Sequence, residues 1–177
     1  MSAIAINLNP IIQLTDEQFY QLCRENPDVK FERNATGELI VMPPTGGTTG
    51  NRNFKLVQQL ANWADIDKTG IGFDSSTGFN LPNGSDRSPD AAWIKLERWE
   101  TLTPEQQEKF PSIAPDFVVE LRSARDSLAS LQEKLQEYIE NGVKLGWLID
   151  CQNRRVEIYR PGRDPEILSD PAVVSGE

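Results

Sequence analysis

Residues 115–150 read PDFVVELRSARDSLASLQEKLQEYIENGVKLGWLID, and this stretch decides the fold. Its segment 116–121 contains an uninterrupted Phe-Val-Val run, which is typical of a strand buried on both faces at the centre of a sheet. An amphipathic pattern follows and predicts a helix that ends at Gly142, a glycine in a C-terminal capping position. Residues 143–150 then predict another strand. The stretch therefore predicts the middle of a sheet with a helix beside it.

Helices and strands are predicted on both sides of this stretch. Thr15 and Gln18 have the spacing of a capping box, which predicts a helix start. The apolar residues that recur at spacings of three and four, and so predict a helix face packed on a sheet, are Phe54, Val57, Leu60, Ala61 and Ala64. The remaining signals predict a hairpin over 29–43, an antiparallel meander over 70–96 around the Asn-Gly turn, a polar helical segment over 98–115 and a last strand over 154–162. The fold class is α/β or α+β, with a mixed central sheet flanked by helices.

The size and composition indicate a soluble globular protein. A chain of 177 residues fits one domain, since domains usually run about 100 to 200 residues, and we expect that domain to span 1–177. No apolar run approaches the roughly 18 residues that cross a bilayer. The N-terminal segment MSAIAINLNP lacks the basic start and the cleavage site of a secretory signal. We therefore expect a cytoplasmic protein that does not enter a membrane.

The absence of histidine removes several classes of active site. With no His in the sequence, neither a Ser/His/Asp triad nor a Cys/His nucleophile pair nor an ordinary zinc site can be assembled. Cys23 and Cys151 form no CxxC pair and no disulfide framework, so we expect buried thiols. Any catalysis must use carboxylates, lysine, arginine, hydroxyls or a hard cation.

The net charge of −9 argues against a protein that coats nucleic acid without sequence preference. Such binding depends on Lys and Arg side chains that neutralise phosphates and release counterions. Local basic patches remain open in the second half of the chain, which contains most of the Lys and Arg residues.

Spacing selects a pair of carboxylates that one hard cation could bind. Such a cation takes oxygen ligands at about 2.0 to 2.6 Å. Asp116 and Glu120 lie on one strand, four residues and hence roughly 13 Å apart at about 3.3 Å per residue, so they cannot readily share an ion. Asp90 precedes a separate strand and approaches Glu120 if the strands pair in the right register. Asp90 and Glu120 are the better pair.

Two basic residues accompany this pair. In a regular strand Arg122 points to the same face as Glu120, where it could hold or neutralise a phosphate. Lys134, at the edge of the apolar face of the following helix, could reach over the strand end and help to place or deprotonate a water. This set suits metal-assisted hydrolysis of a phosphodiester.

Structural roles for the same residues stay open at this point. Asp90 could simply cap a turn after Pro89, and Lys134 could be a solvated helix lysine. Glu120, between Val119 and Leu121, needs a partner because an ionised carboxylate in an apolar strand is costly. An ion pair with Arg122 or Lys134 would meet that need without any catalysis. The strand carboxylates Glu38 and Asp74 are further candidates for the same cleft.

Several segments together resemble a known family. In chain order they are GELIVMPPTGGTTGNRN (37–53), FDSSTGFNLPNGSDRSPD (73–90), SPDAAWI (88–94), PDFVVELRS (115–123), LQEKLQEYIENGVKLGWLID (131–150) and RRVEIYRPG (154–162). Their order and spacing resemble the Uma-type restriction endonuclease family, a divergent branch of the PD-(D/E)XK nuclease superfamily. The resemblance covers roughly residues 13–163 and leaves a tail at each end.

The resemblance implies a restriction-endonuclease-like core and a Mg²⁺- or Mn²⁺-dependent DNA endonuclease. On that basis Asp90 and Glu120 would bind the metal. The superfamily pattern has Lys two residues after the acid, whereas this sequence has Arg122, and Lys134 matches a lysine that this family carries on the following helix. Cleavage of two DNA strands makes a homodimer the expected assembly. Two alternatives remain: a catalytically inactive nuclease-fold module that binds nucleic acid or another partner, and a hydrolase of another phosphorylated substrate.

Overall fold

The computed structural model describes residues 3–175, which form two β-sheets and five helices. The helices are α1 (Asp16–Glu25), α2 (Gly47–Asp67), α3 (Leu96–Trp99), α4 (Pro104–Glu108) and α5 (Leu128–Glu140). The strands are β1 (Ile4–Ile6), β2 (Lys30–Arg33), β3 (Leu39–Met42), β4 (Gly70–Asp74), β5 (Phe79–Asn80), β6 (Asp86–Arg87), β7 (Ala91–Lys95), β8 (Phe117–Leu121), β9 (Leu145–Asp150), β10 (Arg155–Tyr159) and β11 (Glu166–Ser169).

The larger sheet is mixed, as the sequence predicts. Its strand order is β11-β10-β9-β8-β7-β4, in which β8 and β9 run parallel and the other neighbours run antiparallel. The strand that contains the Phe-Val-Val run, β8, lies between β7 and β9 in the interior of this sheet. The prediction of a central strand is confirmed.

Helices cover both faces of the larger sheet. Leu135 and Tyr138 of α5 are fully buried in one apolar cluster with Ala92, Val118 and Leu148. On the opposite face, Trp63 of α2 packs against Trp93, with ring centroids 5.4 Å apart. Because side chains alternate along a strand, neighbouring residues such as 92 and 93 supply the two faces.

Local capping signals place the helix ends where the sequence predicts them. At the start of α1 the Gln18 N–H donates to the Thr15 hydroxyl (3.2 Å), and the Thr15 N–H donates to the Gln18 side chain (2.9 Å). After α5, Gly142 has φ +106°, in the left-handed region that glycine enters without a steric penalty. The chain then turns directly into β9.

The second sheet was not predicted, although one of its hairpins was. Strands β2 and β3 form the expected hairpin, and they belong to an antiparallel sheet of order β1-β3-β2-β6-β5. The predicted meander is correct for β4 and β7, which pair with each other. It is wrong for the residues between them, because β5 and β6 leave to join the second sheet, where Asp86 on β6 pairs with Arg33 on β2.

The apolar face predicted for α2 is only partly covered. None of the residues of this helix is fully buried, and Phe54 is 68% exposed. The Leu60 side chain nevertheless lies over Gly72 of β4, so the helix does pack on the sheet as predicted. The contacts to β4 and β7 include those of Leu60 and Trp63, which lie further along the helix than the exposed Phe54.

Segments outside the range covered by the family resemblance add an edge strand to each sheet. Strand β1 pairs with β3, and β11 pairs with β10. Among residues 3–175, no helix is both long enough and apolar enough to cross a lipid bilayer.

Candidate active site

Asp90 and Glu120 meet where β7 begins and β8 ends, among the inner strands of the larger sheet. Strands β7 and β8 pair antiparallel with Ala91 opposite Val119, so Asp90, one residue before β7, lies next to Glu120. The Leu121 N–H donates to Asp90 Oδ2 at 2.7 Å, which fixes the aspartate against the end of β8. The strand register therefore brings together the two carboxylates that the sequence pairs.

Glu120 is a buried acid with two donors on one oxygen. Its residue is 5% exposed, and Oε1 receives the Lys134 ammonium at 2.9 Å and the Tyr138 hydroxyl at 3.0 Å. Burial raises the pKa of Glu120 to about 7, because the nearby charges of Asp90 and Glu32 add to the effect and Lys134 only partly offsets it. A carboxylate in this state would be stabilised by further positive charge.

Lys134 reaches the same place from α5. Its Nζ atom lies 2.8 Å from Glu32 Oε1 and 2.9 Å from Glu120 Oε1, and its side chain is 10% exposed. Burial by itself lowers the pKa of a lysine, but the two carboxylates outweigh it and raise the pKa of Lys134. The side chain is therefore an ammonium at neutral pH, suited to donating hydrogen bonds and not to accepting a proton.

Glu32 completes the cluster and was not predicted. It lies on β2 of the second sheet, is 2% exposed, and accepts from the Lys134 ammonium (2.8 Å), the Ser88 N–H (3.0 Å) and Arg87 (3.2 Å). Burial raises its pKa, but Lys134 and Arg87 outweigh burial and lower it to about 2. The only signal in the sequence is the adjacent pair Glu32-Arg33 inside a predicted strand.

Arg87 and Tyr138 were also missed as members of this cluster. Arg87 joins Glu32 to Glu137 of α5, with its Nη2 atom 2.6 Å from Glu137 Oε2. The sequence places Tyr138 on the apolar face of the helix, where its ring is indeed buried, but the pattern does not reveal that its hydroxyl donates to Glu120. A phenol buried in a core usually finds such a partner.

Arg122 pairs with residues other than Glu120. It follows Leu121, the last residue of β8. Its Nη1 atom lies 2.6 Å from Asp150 Oδ2, and its Nε–H donates to the Asp126 carbonyl at 3.3 Å. Arg122 thus ties the loop after β8 to the end of β9.

Three other carboxylates considered from the sequence lie in different surroundings. Asp116, before β8, accepts from the Lys95 N–H (2.9 Å) and pairs with Arg98 (2.8 Å). Glu38 accepts from the Asn34 side chain within its hairpin, and Asp74 accepts from the Ser76 N–H in a turn. These contacts account for the three side chains as structural residues.

The carboxylate oxygens of Asp90 and Glu120 are ligands that suit a hard cation. Within residues 3–175, no side chain or N–H donates a hydrogen bond to Asp90 Oδ1 or to Glu120 Oε2, so each carboxylate keeps one oxygen available. Over the same residues no group of three His, Cys, Asp or Glu side chains is placed to hold a metal. Two carboxylates suffice for Mg²⁺, which usually keeps several waters and also binds substrate phosphates.

Comparisons with known proteins agree with the fold. A family model described as "Uma2: Putative restriction endonuclease" matches residues 16–177. A crystal structure described as a putative nuclease belonging to DUF820, from Anabaena variabilis ATCC 29413, superposes with a TM-score of 0.75 at 20% sequence identity. The superposition covers 93% of this chain and 89% of that chain. The comparison with curated proteins gives no match.

Proposed function

Since the chain belongs to the Uma2 family, whose model is described as a putative restriction endonuclease, we propose that it is a Mg²⁺- or Mn²⁺-dependent DNA endonuclease that hydrolyses phosphodiester bonds. The observation that carries the proposal is the meeting of Asp90 and Glu120 at the adjoining ends of β7 and β8, each with an available oxygen, beside the Lys134 ammonium. Repulsion between two neighbouring carboxylates favours a bound cation.

Asp90 and Glu120 would hold the metal ion. When bound, the ion supplies positive charge that polarises a phosphoryl oxygen and lowers the pKa of water. Asp90 is oriented for this role by the Leu121 N–H, and Glu120 by Lys134 and the Tyr138 hydroxyl, so neither carboxylate has to reorganise when the ion arrives.

Lys134 would orient the attacking water and stabilise negative charge that develops on the phosphate. Its ammonium already donates to Glu120 at 2.9 Å, and the raised pKa keeps the proton on nitrogen. Arg122 would contact a backbone phosphate near the strand end with the N–H groups that Asp150 and Asp126 leave available.

A catalytically inactive module with the nuclease fold is the second candidate. The observation that favours it is the ion pairing of Lys134 with both Glu32 and Glu120, which satisfies the buried charges without a metal. Such a module would bind nucleic acid or another partner and would not bind Mg²⁺ at Asp90 and Glu120.

Cleavage of supercoiled plasmid with Mg²⁺ or Mn²⁺ tests the proposal. We expect nicked or linear product from the wild type and a rate at least about 100-fold lower for Asp90→Asn and Glu120→Gln, because each loses a charged metal ligand. Asp116→Asn is the matched control, since Asp116 follows a proline and pairs with arginine but lies at the other end of β8. Equal cleavage by all four proteins would exclude this site.

Calorimetric titration with Mg²⁺ separates the two candidates. Binding to the wild type and to Asp116→Asn, with none to Glu120→Gln, supports the endonuclease. A folded wild type that binds no divalent cation and cuts no DNA supports the inactive module instead.

We also propose that the protein acts as a homodimer, because a double-strand cut needs two active sites in a symmetric arrangement. Sedimentation equilibrium at micromolar protein with a short DNA duplex should give the mass of two chains and one duplex. A single chain at all concentrations would contradict the dimer without affecting the proposed chemistry.

A further inference from the structure

Glu32 lies on a different sheet from the proposed metal ligands. Glu120 lies on β8 of the larger sheet and Asp90 immediately before β7 of the same sheet, whereas Glu32 lies on β2 of the second sheet. The proposed chemistry assigns it no task. Glu32 is 2% exposed, and an ionised carboxylate is costly to bury unless its partners compensate the charge.

The contacts of Glu32 reach both halves of the candidate site. Glu32 Oε1 receives the Lys134 ammonium at 2.8 Å and the Ser88 N–H at 3.0 Å. Ser88 lies two residues before Asp90, so one carboxylate oxygen is bonded to the lysine and to the backbone that leads to the aspartate. A displacement of Glu32 would therefore move both the Lys134 ammonium and the backbone before Asp90.

A lysine needs such a partner to occupy one place. Its four-carbon side chain has many rotamers, and a single carboxylate fixes an ammonium less well than two. Glu120 approaches Lys134 from one sheet and Glu32 from the other, at nearly equal distances. The ammonium is held between the two sheets.

Arg87 holds Glu32 in turn. The Arg87 guanidinium contacts Glu32 Oε2 at 3.2 Å and Glu137 Oε2 at 2.6 Å. Glu137 follows Lys134 by three residues on α5, so the helix that carries the lysine also anchors the residue that orients the lysine. The contacts therefore form a closed loop that starts from α5 at Lys134 and returns to α5 at Glu137.

We infer that Glu32 is a positioning residue of the candidate active site, which holds the Lys134 ammonium against Glu120 and fixes the backbone that leads to Asp90. The expected effect of Glu32 on DNA cleavage rests on the proposed function. Its expected effect on the position of the Lys134 ammonium does not depend on that function.

Cleavage kinetics test the first effect. We expect Glu32→Gln to lower the cleavage rate constant at saturating Mg²⁺ and DNA by about 10- to 100-fold, as removal of an orienting partner usually does, with the half-saturating DNA concentration changed less than about twofold. Glu157→Gln is the matched control, because Glu157 is equally buried, at 2% exposed, and its partners are Gln132, Arg155 and Tyr159. Equal losses in both variants would overturn the inference.

A double variant asks whether Glu32 acts through Lys134. Once Lys134→Met has removed the ammonium, we expect additional Glu32→Gln to change the cleavage rate less than about threefold, since residues that act as a unit are not additive. Full multiplication of the two separate losses would overturn the inference.

Lysine ammonium NMR keeps the test independent of activity. With ¹⁵N-labelled lysine, the Lys134 ammonium should give a signal that exchanges slowly with water, assigned by its loss in Lys134→Met. The signal should shift or disappear in Glu32→Gln and persist in Glu157→Gln. If Glu32→Gln does not fold, Glu32→Asp, which keeps the charge but withdraws it by one methylene, should give the same change.

Cleavage kinetics and ammonium NMR together distinguish a failure of the endonuclease proposal from a failure of the positioning role of Glu32. If the wild type does not cleave DNA, the endonuclease proposal fails and the NMR result alone decides the role of Glu32. An unchanged Lys134 signal in a folded Glu32 variant overturns the inference whether or not the protein cleaves DNA.

Discussion

Glu120 is an ionisable residue in β8, between Val119 and Leu121, which are buried and apolar. The desolvation that raises its pKa is met on one oxygen by an ammonium and a phenol hydroxyl, while the other oxygen has no donor among residues 3–175. This half-satisfied state distinguishes Glu120 from Glu157, which receives donors on both oxygens. A purely structural acid would be expected to resemble Glu157.

The Tyr138 hydroxyl offers a test at the scale of one atom. Tyr138→Phe removes the donor to Glu120 and keeps the buried ring, so we expect the free energy of unfolding to fall by about 1 kcal/mol. We also expect slower plasmid cleavage, by about tenfold, because Glu120 loses one of its two orienting partners. Urea unfolding and cleavage rates measure the two effects.

Tyr159→Phe is the control for this prediction. The Tyr159 hydroxyl donates to Glu157 at 2.8 Å and is also buried, so its loss should destabilise the fold by a similar amount without slowing cleavage. Similar cleavage rates in the two variants would leave Tyr138 with a structural role only.

At the scale of elements, α5 and its two strands bring the lysine to the sheet. The helix connects the parallel strands β8 and β9, and Leu135 packs so close to Gly146 of β9 that a Cβ there would lie 2.6 Å from the leucine side chain. Because Lys134 precedes Leu135 on the helix, the packing of Leu135 also determines how far the Lys134 backbone lies from the sheet. Local periodicity was enough to predict this helix and its edge lysine.

Two glycines give opposite predictions for the elements that contain them. A Cβ on Gly70, at the start of β4, would lie 2.3 Å from the Ile94 carbonyl and from the Trp93 ring, so we expect Gly70→Ala to destabilise the protein by about 2 kcal/mol or more. Gly50, inside α2, has only the Thr45 methyl group at 3.8 Å, and Gly50→Ala should stabilise by about 0.5 to 1 kcal/mol. Thermal unfolding of both variants checks the signs, and a neutral Gly70→Ala would mean that β4 is less closely packed than the structure indicates.

At the scale of the whole molecule, two sheets meet around buried charges. Glu32 and Arg87 come from the smaller sheet, Glu120 from the larger one, and Lys134 from the helix between β8 and β9. Paired buried charges of this kind make the fold sensitive to the loss of any one partner, because the remaining charge is left uncompensated. Protonation of Glu32 should therefore weaken the contact between the sheets.

The sign of this acid effect follows from the pKa of Glu32. That pKa is about 2 in the folded protein and 4.5 in an ordinary glutamate, so the unfolded chain takes up the proton first as the pH falls. The stability contributed by this carboxylate is complete above pH 4.5 and is lost as the pH falls towards about 2.

Urea unfolding as a function of pH measures the effect. We expect the stability advantage of the wild type over Glu32→Gln to shrink by on the order of 1 to 3 kcal/mol as the pH falls from about 5.5 to about 3. Glu105→Gln, which removes an exposed carboxylate of α4, corrects for the change in net charge. An advantage that stays constant with pH would contradict an ionised Glu32 in the folded protein.

Sequence by itself determined several of the elements and the first members of the candidate site. Helix caps, the Phe-Val-Val run and the helical periodicity act over a few residues, so they could be recognised in α1, β8 and α5. The same local reasoning made Asp90, Glu120 and Lys134 candidates, since strand spacing excludes Asp116 and the lysine lies on the next helix. The family resemblance then favoured these three residues. The roles of these three residues in catalysis remain predictions.

Tertiary structure alone decided which distant residues complete the cluster. Glu32 and Lys134 are 102 residues apart in the chain, and they meet because β5 and β6 leave the expected meander to build a second sheet against α5. Arg122 pairs with Asp150 and not with Glu120, because Asp150 offers a carboxylate at the end of β9, the strand beside β8. Such contacts depend on how sheets pack and where strands end in space, and the periodicity of a single segment contains neither.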